Sequence, residues 1–150
     1  MGIEEALKAK KINNEYQKLF INFSYTFNWI DEQVAKFFKN HNLTNHQYNI
    51  LRILRGSLGT PLPAFEIQNR MICKNSNVTR IIEKLIAKQY VSKKFNDDNR
   101  RKVEITITDK GLELLNSLDN AIISLHSNIF KNITEEESVY LNDMLDRIRG

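Results

Sequence analysis

Arg100, Arg101 and Lys102 are three adjacent cations within NDDNRRKVEITITDKG, residues 96–111. Such a cluster repels itself unless an anion is brought to it, and a row of phosphates suits its charge density. Asp98 and Asn99 precede it in the same polar tip. A second set, Asn75, Ser76, Asn77, Thr79, Arg80 and Lys84, is spread through NSNVTRIIEKLIAKQ, residues 75–89. Asn and Arg can pair bidentately with adenine and guanine, and Ser or Thr can bond any base edge. One set therefore has the chemistry to read bases and the other to hold a backbone.

The charge distribution agrees with a local contact to a polyanion. The whole chain carries a net charge of +4. Residues 70–102 hold 10 Lys/Arg against 3 Asp/Glu, a net of +7, whereas residues 103–150 hold 4 against 9, a net of −5. A length of 150 residues and 41% hydrophobic content suit one domain with a core of its own. No apolar run approaches the ~20 residues of a membrane span, and MGIEEALKAKK lacks the apolar centre of a secretory signal. A cytoplasmic protein with no membrane partner is expected.

Several elements must position the two sets. Apolar residues from Ile12 to Phe38 recur at intervals of three and four, predicting one long helix of roughly 40 Å. That exceeds what a core of this size needs, so part of its Phe-rich stripe is expected to meet a second copy of the chain. Thr44 and Gln47 form a capping box for the next helix, which Gly56 and Gly59 end. Pro63 suits the first turn of a short helix over 63–71, and a further helix covers 76–89. YVSKKF (90–95) and VEITIT (103–108) predict two strands about a polar tip. Thr108 caps a helix from Asp109 to about Lys131, and Thr134 with Glu137 opens a last helix expected to bury Leu141, Met144, Leu145 and Ile148.

Short helix, turn, helix and hairpin make a winged helix-turn-helix, whose second helix fits the major groove while the wing follows the backbone or minor groove. The chain resembles the MarR family of bacterial transcriptional regulators over about residues 12–148, most specifically in SNVTRIIEKLIAKQYV and DDNRRKVEITITDKG. The resemblance implies a mainly α fold with a small β-wing. Residues 44–108 would form the winged helix-turn-helix, and residues 3–40 and 109–150 the dimerisation helices, all within a single domain 1–150. It further implies a homodimer acting, commonly as a repressor, on a pseudo-palindromic operator in double-stranded DNA. A small aromatic or lipophilic effector, or an oxidant, would relieve binding.

Some positions depart from the family pattern. Counted back from Thr108, the usual wing aspartate falls on Asn99 and the usual arginine on Arg101, whereas the literal D-x-R reads Asp98 and Arg100. The glycine that often ends the recognition helix is Gln89, expected to cost about 1 kcal/mol if left-handed. The small alanine of the preceding helix is Gln68, either loosening the packing or turning toward phosphate.

Other residue patterns lead elsewhere or nowhere. Cys73 is the lone cysteine, expected as a small buried hydrophobe rather than a redox sensor. His41, His46 and His126 lack the spacing of a metal site, and no cofactor motif is present. No phosphate loop, nucleophile elbow or acid pair suggests an enzyme. Tyr25, Trp29, His46 and Tyr48 are candidates to line an effector pocket, and are equally accounted for by core and dimer packing. The alternative function is a winged-helix module that binds an acidic protein. It would expose apolar residues where this chain places Asn77, Thr79, Arg80 and Lys84.

Overall fold

The long amphipathic helix opens at Asn14, whose side-chain oxygen accepts the Gln17 N–H at 3.0 Å, so Ile12 lies outside it. In this computed structural model, which describes residues 1–99 and 101–150, the helix is α2, Glu15–Asn40. A short α1, Ile3–Ala6, precedes it and is tied back by a Glu4–Lys18 ion pair at 2.9 Å. The helices α3 (Asn45–Gly56), α4 (Ala64–Arg70) and α5 (Val78–Ala87) follow. Then come the strands β2 (Val91–Phe95) and β3 (Val103–Ile107), and finally α6 (Asp109–Ile129) and α7 (Glu135–Arg149).

Local side-chain chemistry sets most of the helix starts. Thr44 and Gln47 exchange both bonds of a capping box on α3, as do Thr134 and Glu137 on α7. Thr108 accepts the Gly111 N–H and opens α6. The α5 exit is a left-handed cap, with Gln89 at φ 64° and the Tyr90 N–H bonded to the Leu85 carbonyl at 3.0 Å.

Two strands are predicted and the sheet has three. β1, Leu62–Pro63, pairs antiparallel with β3, placing Leu62 opposite Ile105, so the order is β1-β3-β2. Pro63 is thus the last strand residue and the N-cap of α4 rather than part of its first turn. A proline is tolerated there because β1 is an edge.

The core lies in the middle of the chain. Ile50, Leu51 and Leu54 of α3, Ile67 of α4, Leu85 of α5, Ile105 of β3 and Leu115 of α6 are all buried in one cluster. Phe38 is the single buried residue of α2, and α7 has none. The expected burial of Leu141, Met144, Leu145 and Ile148 is therefore corrected for the single chain. Leu141 and Ile148 are exposed, and Met144 and Leu145 are half-buried. These helices run past the core: α2 meets α6 and faces α7 across an apolar cleft, while Phe20, Phe23, Leu141 and Ile148 stay exposed in the single chain.

Candidate nucleic-acid interface

α4 and α5 meet through a turn, residues 71–77, that is pinned from three sides. Met71 is buried beneath it, and the Ile72 N–H donates to Asn49 Oδ1 of α3 at 2.9 Å. Gln68 Nε2 donates to the Lys74 carbonyl, so Gln68 braces the turn with its donor committed there. The Ser76 hydroxyl donates to the Cys73 carbonyl at 2.8 Å. These bonds fix the entry to α5 before any ligand arrives. Cys73 itself is exposed, correcting the expectation of a buried thiol, because the turn carries it outward while Met71 fills the space below.

Asn77 is not inside α5 but caps it, its Oδ1 accepting the Arg80 N–H at 3.1 Å. Its side-chain NH₂ remains as a donor. Asn75 is exposed and Ser76 half-buried in the turn, while Thr79, Arg80 and Lys84 are exposed on the helix. Arg80 and Lys84 are one turn apart and share a stripe. On the opposite side Val78, Ile82 and Leu85 are buried. The helix thus offers a polar outer face held rigidly by an apolar inner one.

The wing tip is organised by asparagines. Asn96 Oδ1 accepts the N–H groups of Asp98 (2.9 Å) and Asn99 (3.2 Å), and Asn96 Nδ2 donates to Glu104 at 2.9 Å. Asn99 Oδ1 accepts the Arg101 N–H at 3.1 Å, and the Asn99 carbonyl accepts the Lys102 N–H at 2.8 Å. Asn99 therefore shapes the turn that presents Arg101. Arg101 and Lys102 are exposed. Arg100 lies outside the described residues. Sequence reasoning missed Asn96, although an Asn two and three residues before two turn N–H groups is a recognisable turn signal.

Gly111 explains the Lys-Gly helix start after the wing. A Cβ there would lie 2.3 Å from the Tyr90 carbonyl oxygen, and the Thr108 N–H donates to that same oxygen at 3.0 Å. The wing and α6 are thereby locked to the end of α5.

The four residues considered for an effector pocket differ in burial: Tyr25, Trp29 and His46 are exposed and Tyr48 is buried. Tyr48 is in the core, its ring 4.7 Å from Phe38. Trp29 borders a small cleft of ≈ 130 Å³ with Gln33, Leu125 and Ile129. A larger apolar cleft of ≈ 600 Å³, which the sequence reading did not single out, runs between α2 and α7. Tyr16, Leu19, Phe20, Phe23, Leu145, Ile148 and Arg149 line it. Among the described residues there is no cluster of His, Cys, Asp or Glu that could hold a metal. Nor is any helix long and apolar enough to cross a membrane.

Fold and site define a winged helix-turn-helix transcriptional regulator. Residues 33–118 match the family model described as transcriptional regulator SarA/Rot, and the chain belongs to that family of regulators of the MarR type. It is a DNA-binding regulator of transcription and not an enzyme. The HTH-type transcriptional regulator MhqR of Bacillus subtilis is 26% identical over 87% of this chain and 89% of its own. PecS of Dickeya dadantii is 27% identical over 79% and 72%. The fold matches that of a mutant MarR from E. coli complexed with operator DNA at a TM-score of 0.79 and 19% identity, covering 93% of this chain and 99% of that one.

Proposed function

We propose that the chain acts as a homodimeric, sequence-specific repressor on a pseudo-palindromic operator. α5 would enter the major groove and the wing would lie on the adjacent backbone or minor groove. The observation that carries this reading is the combination of an exposed polar stripe on α5 with a pre-shaped cationic wing. Thr79, Arg80 and Lys84 would read bases, assisted by Asn75, Ser76 and the Asn77 amide at the helix entry. Arg101 and Lys102, with Arg100 beside them, would contact the phosphates or the minor groove. The E. coli MarR mutant that shares this fold is complexed with operator DNA, which supports a duplex partner.

Dimerisation is supported by the uncovered apolar faces. Tyr16, Phe20 and Phe23 on α2 and Val139, Tyr140 and Ile148 on α7 are exposed in one chain. Exposed apolar side chains in this number, with Tyr16, Phe20, Phe23 and Ile148 around one cleft, mark an interface. Release by a small aromatic or lipophilic effector fits the same reading, because the ≈ 600 Å³ cleft is apolar and a partner copy would close over it.

Selection of bound sequences from random duplex DNA tests the whole reading. An inverted repeat with half-sites one helical turn apart is expected. Enrichment of no sequence, or binding insensitive to salt, would overturn it.

A further inference from the structure

The C-terminal end of α5 carries a junction that base contact does not need. Lys88, the C-cap of α5, sends its ammonium to the carbonyl of Asn42 and lies 3.4 Å from Gln47 Oε1. Asn42 is the left-handed residue (φ 54°) just past the end of α2. Gln47 is the one buried polar residue among those described, and the same oxygen closes the capping box on α3 through the Thr44 N–H. One lysine thus joins the end of the recognition helix to the α2–α3 corner. The carbonyl end of α2 favours a cation there.

The backbone beside Lys88 is held from the other long helix. The Lys88 carbonyl accepts from Lys110 Nζ at 3.1 Å, and the Gln89 carbonyl from the Thr108 hydroxyl at 2.7 Å. The α5 end is therefore bound to α2 by a side chain and to α6 by main-chain acceptors. Lys88 lies eight residues beyond Arg80, so its Cα is about 12 Å along the axis from the reading end. Its ammonium is committed to the corner rather than offered to phosphate. A change at one end of a rigid helix is felt at the other as a tilt, and base readout is sensitive to misplacement of this order.

We propose that Lys88 is a positioning residue for operator recognition, clamping the end of α5 to the end of α2 so that Thr79, Arg80 and Lys84 meet the groove at a fixed angle. The inference rests on the duplex-reading function proposed above. It also gives the long helices a direct route to the recognition helix, since any shift of the α2 exit moves the Asn42 carbonyl that Lys88 holds.

The test compares wild type, Lys88→Met, Lys88→Gln and Lys88→Arg by fluorescence anisotropy on the selected operator and on random duplex over a salt series. Lys88→Met should lose about tenfold on the operator, with random-duplex affinity within about twofold of wild type. The salt slopes should not change, because no phosphate contact is removed. Lys88→Arg should restore operator binding to within about threefold, since its guanidinium keeps the charge and the reach. Undiminished operator binding by Lys88→Met overturns the proposal. So does a loss accompanied by a flattened slope, which would make Lys88 a phosphate ligand. Should Lys88→Met fail to fold by circular dichroism, Lys88→Gln is read by the same criteria, and unchanged discrimination overturns the proposal. Wild-type protein that binds no duplex would sink the functional reading instead. The clamp would then be read from amide hydrogen exchange at residues 42–44, which must quicken in the variants for it to stand.

Discussion

Arg55 of α3 grips Asp119 of α6 with two parallel hydrogen bonds, Nη1 to Oδ2 at 3.0 Å and Nη2 to Oδ1 at 2.9 Å. The pair bridges the central helices and the long C-terminal helix across 64 positions of sequence. Hydrogen bonding to Arg55 holds the Asp119 carboxyl below its usual range and raises the guanidinium in turn. Both side chains remain partly in solvent, so screening limits the contribution to about 1 kcal/mol or less. Because the folded pKa of Asp119 is depressed, the stabilisation is present above its unfolded value near ~3.9 and is lost as pH falls through the folded one. A double-mutant cycle of Arg55→Ala and Asp119→Ala in urea should show coupling at neutral pH that shrinks below about pH 4. Coupling that persists at the lowest pH would mean the contact is packing rather than charge.

Gly111 should tolerate no side chain. A methyl added there would meet the Tyr90 carbonyl oxygen at 2.3 Å and Ile107 Cγ1 at 2.8 Å, and neither backbone nor core can retreat freely. Gly111→Ala is expected to cost about 1–3 kcal/mol in chemical denaturation. Gly56→Ala serves as the control, since nothing lies within 4 Å of its added methyl. It should be neutral or stabilise by up to about 1 kcal/mol. Similar losses at the two sites would show that helix ends, not the close approach, set the effect.

What the sequence discloses divides along the range of the interaction involved. The capping boxes Thr44–Gln47 and Thr134–Glu137 and the Thr108 cap form within one turn, and each begins a helix where expected. The left-handed Gln89 was only one of two outcomes that the family resemblance left open, since a glutamine does not itself announce that conformation. β1 was not, because two residues including a proline have no strand pattern and exist only through pairing with Glu104 and Ile105. The apolar stripe of α7 announced burial, yet Leu141 and Ile148 stay exposed in the single chain, because helical periodicity marks an apolar face without saying what covers it. At the site, the residue types were readable while their division of labour was not. Asn77 caps α5 and Asn99 bends the wing, both settled by backbone geometry that composition does not carry.

The uncovered faces make a prediction about assembly. Phe20 is 72% exposed and Phe23 53% exposed in the single chain, and both line the cleft between α2 and α7. Phe20→Asp should leave the helical circular-dichroism spectrum intact, because this side chain takes no part in the core. A dimer would have to bury the new carboxylate without a partner, which costs several kcal/mol. Sedimentation should therefore shift from dimer to monomer at micromolar concentration. An unchanged dimer would remove this face from the interface.

The wing prediction separates two arginines. Asn99 bends the tip so that Arg101 is presented from a fixed backbone, its N–H held at 3.1 Å by Asn99 Oδ1. Arg101→Ala should weaken binding to operator and random duplex alike, and reduce the slope of log affinity against log salt by about 1. Asn99→Ala keeps every cation but loosens the turn, so it should lower affinity with the slope unchanged. Arg100→Ala, measured alongside, ranks the neighbouring charge: the larger loss on A·T-rich flanks identifies the side chain that enters the narrow minor groove. If Asp98→Ala disturbed binding more than Asn99→Ala, the literal D-x-R register would be the operative one, and the asparagine-held turn would be incidental to recognition.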